Sequence, residues 1–173
     1  MELTFAPIIF VQSMYDFMKV VINNCFGGFS LSPLAVKRLA ELNGKECYFY
    51  KDNYNGPKQR IDINDIPEKS FSWTAFTIGD ASELEKYLGD DDWGRLTYEE
   101  RKVRSTRYEL VSLSTREYCR NDKFLVQVVE ELGDKADGAC ASLEIVEIPD
   151  DVDYEIDEYD GNEHIAEKHR TWG

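Results

Sequence analysis

The run Asn23-Asn24-Cys25-Phe26-Gly27-Gly28-Phe29-Ser30-Leu31-Ser32-Pro33 sets amides, a thiol, two adjacent glycines and two hydroxyls between an apolar strand and a helix start. Those residue types suit the binding of an anion. Glycines let backbone N–H groups approach a ligand closely, and a following helix turns its positive dipole end toward it. Ser30 and Ser32 add hydroxyl donors, Asn23 and Asn24 can read polar edges, and Phe26 and Phe29 can stack on a ring. The run lacks the Gly-Lys-Ser/Thr ending of a P-loop, and its adjacent glycines do not match the dinucleotide-binding fingerprint. A tight strand–helix turn with both Phe side chains packed inward would use the same residues.

A second group stands at the other end of the chain. Glu163-His164-Ile165-Ala166-Glu167-Lys168-His169-Arg170-Thr171-Trp172 concentrates bases on an otherwise acidic protein. His164, Lys168, His169 and Arg170 would be natural counter-charges for a phosphate. With Tyr159 and Trp172 they would form a lid over the loop 23–32; a polar tail helix or strand, with Trp172 packed on the body, explains them as well. Cys25 lies at the mouth of the loop, where a helix start can lower a thiol pKa. His164 or His169 could serve it as a base only through tertiary folding, and a buried structural cysteine is the simpler reading.

Metal and cofactor patterns do not emerge. The two histidines stand five residues apart, off a common helical face, and His164 to His169 has one residue too many for the inverted metalloprotease motif and the wrong order for His-Glu-x-x-His. Asp151, Asp153, Glu155 and Asp157 resemble half of a calcium loop, but Ile156 occupies the position that needs glycine. Their alternation with Val152, Tyr154 and Ile156 reads as a half-exposed strand. No catalytic residue, metal or cofactor is assigned.

The elements that must hold these groups can be read from periodicity and capping. Lys19-Val20-Val21-Ile22 predicts a first core strand. Ser32 as N-cap, Pro33 in the first turn and Asn43-Gly44 as the stop predict a helix with Val36, Leu39, Ala40 and Leu42 near one face. Glu46–Tyr50 follows as an aromatic strand. Residues 20–50 thus read as a βαβ unit with parallel pairing. Residues 51–72 read as loop-rich, with Asn55-Gly56-Pro57 as a turn. Asp80 and Glu83 have capping-box spacing ahead of a short helix closed by Gly89, and Thr97 and Glu100 repeat that spacing. Tyr108–Leu113 alternates as a strand. Asp122 predicts a helix with Leu125, Val128, Val129 and Leu132 on one stripe, closed by Gly133. Leu143–Ile148 reads as a strand, and Asp160-Gly161 as a turn.

Length and composition bound the rest. With 173 residues, 42% of them hydrophobic, the chain can bury a core as one domain and is not a disordered segment. The expected fold is α/β (or α+β), a mixed sheet of four to six strands with flanking helices. Residues 1–18 read as an extension or arm and 19–173 as the domain. Cys25, Cys47, Cys119 and Cys140 are widely spaced, as free thiols in a reducing compartment would be. A signal core and a membrane span are not seen, which points to the cytoplasm. The net charge of −14 disfavours direct nucleic-acid binding. It is concentrated: residues 130–160 hold thirteen carboxylates and one base, Lys135, a net −12, whereas 95–107 is net +3. A solvated face explains such a stretch, and so does a surface for a basic protein.

Two stretches carry a resemblance. Val20–Ser32 is one, and Leu143–Val152 with Glu158-Tyr159-Asp160-Gly161 and Glu167–Trp172 is the other. They resemble a group of small uncharacterised proteins encoded by tailed bacteriophages and prophages. The resemblance implies a phage accessory protein acting in the host cytosol, of a kind that often counters host defence. Such proteins sequester nucleotide immune signals or block a defence protein. The expected function is therefore binding, without turnover, of a small phosphorylated or nucleotide-like ligand at 23–32 under the tail. An acidic, nucleic-acid-mimicking inhibitor of a host protein is the alternative, and a Cys25-dependent enzyme the third reading. A homodimer completing its pocket across a two-fold is compatible with the first.

Overall fold

The computed structural model describes residues 16–51, 59–67, 70–71, 73–76, 95–111 and 118–169. In chain order the elements are β1 (Phe17–Asn23), α1 (Pro33–Leu42), β2 (Tyr48–Lys51), β3 (Gln59–Ile61), a 3-10 turn (Ile63–Asp65) and β4 (Trp73–Phe76). Then follow α2 (Tyr98–Val111), α3 (Lys123–Leu132), a second 3-10 turn (Gly133–Ala136), β5 (Leu143–Pro149), β6 (Tyr154–Tyr159) and β7 (Asn162–Glu167). Helices and sheets share the chain, so the α/β class holds.

The helix ends are built by local chemistry. At α1 the Ser32 hydroxyl accepts the Ala35 N–H at 3.2 Å, and Pro33 occupies the first helical position. Asn43 closes the helix by donating to the Leu39 and Ala40 carbonyls, and Gly44 turns the chain away at φ 67°. At α3 the Asp122 carboxylate accepts the Phe124 and Leu125 N–H groups at 2.9 and 3.0 Å. Thr97 and Glu100 cap α2 reciprocally, each side chain taking the other's backbone N–H.

α1 and α3 pack together, and α3 lies on the β1–β5 pair. Their buried stripes meet Val21 in one core with Leu39, Val36, Leu125 and Val128, to which β2 and β4 add Phe49 and Ala75. Each fully buried aliphatic side chain here contributes about 1.5–3 kcal/mol relative to exposure. Val20 and Ile22, on the opposite face of β1 by alternation, are also buried, and β7 lies against that strand.

Strand pairing departs from the sequence reading. β1 pairs antiparallel with β5, Val21 opposite Ile145 and Asn23 opposite Leu143. β2 pairs antiparallel with β3 and β4, and β6 with β7. The strand–helix–strand order of 20–50 is present, but β1 and β2 belong to different sheets, so the parallel βαβ pairing is not formed, and in place of one mixed sheet of four to six strands the described residues form antiparallel sheets of two, three and two strands. The physical reason is that Val20-Val21-Ile22 is buried on both faces by tertiary partners. A continuous apolar run is what a parallel strand needs, but a covered antiparallel strand shows the same pattern.

Two shorter readings also change. Residues 108–111 continue α2 and do not start a strand. Once the Thr97–Glu100 box has nucleated the helix, Glu109 and Leu110 propagate it readily. Within the loop-rich span 51–72 the chain also forms the three-residue β3 and a 3-10 turn capped by Asp62. The helix expected after Asp80 and residues 1–15 of the expected arm 1–18 lie outside the described residues, while Phe17 and Met18 belong to β1, opposite Pro149 and Ile148. No helix among the described residues is long and apolar enough to cross a membrane.

Candidate functional site

The loop after β1 and the carboxy-terminal hairpin do come together, through backbone. The turn Asp160-Gly161 between β6 and β7 rests on Gly27 and Gly28. A Cβ on Gly161 would stand 2.8 Å from the Gly27 nitrogen and 2.9 Å from the Gly28 Cα, and its φ of 85° already favours glycine. Gly27 is itself covered, since a Cβ there would stand 2.7 Å from the Cys140 Cβ. Gly138 lies as close to Ser30, 2.7 Å from Cβ to Cβ by the same construction, and donates its N–H to the Ser30 carbonyl at 3.0 Å. The close approach that the glycines permit is therefore made by the chain itself.

Asn23 joins the three segments. Its side-chain Nδ2 donates to the Gly161 carbonyl at 2.6 Å and to the Cys25 carbonyl at 2.7 Å. Its Oδ1 accepts the Ser142 N–H at 2.8 Å and the Cys25 thiol at 3.3 Å. Two donors and two acceptors are thereby satisfied on a fully buried amide.

An anion does sit at this loop, and the chain supplies it. The Glu163 carboxylate accepts the Asn23 backbone N–H at 2.8 Å. The Arg120 guanidinium clamps it from the other side, Nη1 to Oε2 at 2.9 Å and Nη2 to Oε1 at 2.8 Å. The pair is largely withdrawn from water, with side-chain exposures of 17% and 8%. Behind it, Arg120 lies 3.4 Å over the Phe29 ring. The Arg120 carbonyl takes the Val21 N–H at 2.8 Å, so Arg120 and Glu163 together satisfy the edge of β1 not paired with β5.

The other sequence-predicted residues divide between support and exposure. Asn24 donates to Glu144 at 2.8 Å. Ser32 serves as the α1 cap and donates to the Lys135 carbonyl at 2.5 Å. Phe26 and Tyr159 are exposed. His164 faces Asp157 at 3.7 Å and Lys168 pairs with Asp153 at 3.2 Å, so these bases answer the hairpin's own acids. His169 is exposed, and Arg170 and Trp172 lie outside the described residues. The Cys25 thiol donates to the Asn23 Oδ1 and to the Cys140 carbonyl at 3.1 Å, and these are its partners in place of an imidazole. Cys47 is inert at neutral pH, because burial pushes its thiol up to about 12.

Open space lies at the other side of Ser32. A cleft of about 760 Å³ is bounded by the start of α1 at Ser32, Pro33 and Leu34, and by Ile63, Asn64 and Ile66 of the first 3-10 turn. The segment from Asp134 to Ser142, including Lys135, Asp137 and Gly138, forms its third wall. Pro33 has no N–H, Ala35 donates to the Ser32 hydroxyl and Val36 to the Ser32 carbonyl. The Leu34 N–H is left without a protein acceptor among the described residues. Lys135 carries an ammonium without an ion pair among the described residues. Asp137 turns one carboxylate oxygen to the Leu143 N–H at 2.9 Å. Half of the lining residues are polar or charged, and the volume lies within the roughly 300–1,000 Å³ usual for small-molecule sites. Of these residues the sequence reading had singled out only Ser32 as a ligand contact. The signal for Lys135 was its isolation as the single base among thirteen carboxylates.

No family model, curated protein or solved structure matches this chain. The residues themselves carry the functional argument.

Proposed function

We propose that this chain is a binding protein that holds a small phosphorylated or nucleotide-like molecule without turning it over, in the cleft beside α1. The observation that carries the reading is the cleft itself, which is lined by Leu34 at a helix start on one wall and by Lys135 on another. An anionic group would take its hydrogen bond from Leu34 and its counter-charge from Lys135. Leu34, Ile63 and Ile66 offer an apolar bed for a ring, and Asn64 and Asp134 offer polar contacts for its edge or for sugar hydroxyls.

The lining also bounds the ligand. Asp134 and Asp137 stand against one Lys135, so a dense cluster of negative charge would be repelled. A singly charged phosphodiester is favoured over a polyphosphate. Within the resemblance to phage accessory proteins, such a ligand would be a nucleotide immune signal, and binding would sequester it.

Calorimetry against mononucleotides, cyclic dinucleotides and ADP-ribose derivatives tests the reading. At least one should bind, and Ala141→Trp, which sets an indole in the cleft wall, should weaken that binding strongly with the fold intact. Lys135→Met should weaken it roughly tenfold, as loss of one charge-assisted contact does. Heat from none of these compounds, or binding untouched by Ala141→Trp, would overturn it.

A further inference from the structure

Two aromatic rings stand in water at the junction of the loop and the hairpin. Phe26 is 70% exposed and Tyr159 is 77% exposed. Phe26 precedes Gly27, and Tyr159 lies two residues before Gly161, so each ring leaves the chain beside the same backbone contact. The Asn23 Nδ2 bond to the Gly161 carbonyl, at 2.6 Å, fastens that contact. The rings are therefore carried on a fixed tip, and placing them against a partner orders little more than their own side chains.

The surroundings say what they would meet. Glu144 approaches through Asn24, Glu158 holds the Gly161 N–H at 2.8 Å, and Asp160 forms the turn itself. Arg120, whose partner Glu163 accepts the Asn23 N–H, is committed to Glu163 and Phe29. Other aromatics of this chain carry a cation on the ring face, with Arg60 4.5 Å over Tyr48 and Lys123 4.7 Å over Phe124. Phe26 and Tyr159 have no such partner among the described residues.

We propose that this tip docks an arginine-bearing segment of a partner protein, with Phe26 and Tyr159 as its anchors and the surrounding carboxylates as its counter-charge. Arginine fits better than lysine, because a guanidinium stacks flat on a ring and can also fork to a carboxylate. The proposal is independent of the cleft, with which it shares no residue.

Fluorescence anisotropy with an arginine-rich peptide and a lysine-rich peptide of equal length and charge tests it on the full chain at physiological salt. The wild type should bind the arginine peptide more tightly, by about fivefold or more. Phe26→Ser with Tyr159→Ser should remove that preference and weaken arginine-peptide binding roughly tenfold. Tyr159→Leu, which keeps an apolar side chain and cannot disturb packing at so exposed a position, should lose most of the preference alone. Asp151→Asn with Asp153→Asn should weaken both peptides alike and only slightly. Equal binding of the two peptides, binding of neither, or an arginine preference that survives loss of both rings would overturn the proposal.

Discussion

The glycine loop at 24–30 and the cleft at the start of α1 are neighbours in sequence and opposites in structure. In the loop, backbone packs on backbone: Gly161 on Gly27 and Gly28, and Cys140 on Gly27. Its Asn24 and Gly27 N–H groups go to the Ser142 and Cys25 carbonyls, and at its edge the Glu163 carboxylate takes the Asn23 N–H. A few residues on, at Ser32, Pro33 and Leu34, the same chain borders open space and keeps a helix-start N–H for something else. The lesson is that glycines and a helix start announce a close approach without saying what approaches. At the first place it is this protein's own hairpin.

If the loop is a structural joint, it should tolerate change badly, and Gly161→Val should do the most damage. The variant sets a β-branched residue at φ 85° and drives a side chain into Gly27 and Gly28. A loss of about 3 kcal/mol or more is expected in urea unfolding. A near-neutral result would mean that the hairpin does not bear on the loop.

Glu163→Gln should follow, at about 2–4 kcal/mol, because it leaves the Arg120 guanidinium buried without its counter-charge. Adding Arg120→Met should recover part of that loss. Full additivity in the double-mutant cycle would deny the coupling that the geometry implies.

The smallest effect concerns the frame behind the cleft. Arg38 on α1 forks to Glu131 on α3, with Nε to Oε2 at 2.7 Å and Nη2 to Oε1 at 3.2 Å. Hydrogen bonds from Arg38, and then from Gln127, pull the Glu131 carboxyl down to about 2. A depressed carboxyl stabilises the fold above its ordinary pKa and loses that contribution as pH falls through the folded value. Acid unfolding of the wild type should therefore include a Glu131 titration in that acidic window. In Arg38→Met, the carboxyl resonance should titrate closer to the ordinary 4.5. An unchanged midpoint would remove Arg38 as the cause. The pair is exposed, so little change in neutral-pH stability is expected.

What could be read in advance was what is local. Ser32, Pro33, Asn43 and Gly44 bound α1 as their chemistry requires, Asp122 and Gly133 bound α3, and the Asp160-Gly161 turn joins two strands. What could not be read was who pairs with whom. The partner of β1 lies more than a hundred residues away, and no local pattern distinguishes it. The alternation of Tyr108–Leu113 was too short to choose between strand and helix, and the cap at Thr97 decided it for the described part. Glu163 gave one faint signal: it alternates with Ile165 and so shares that residue's face of β7, yet its partner Arg120 is visible only in three dimensions. The cleft draws its walls from three separated segments, and its traces in the sequence are Ser32 at the helix start and the solitary Lys135.

Amide chemical-shift mapping separates the two regions most directly. Titrating the protein with the nucleotide that binds best should shift Leu34, Asn64 and Lys135 while Asn23, Gly27 and Gly28 stay in place. The largest shifts at Asn23, Gly27 and Gly28, with Leu34 unmoved, would contradict the assignment and return the ligand to the glycine loop.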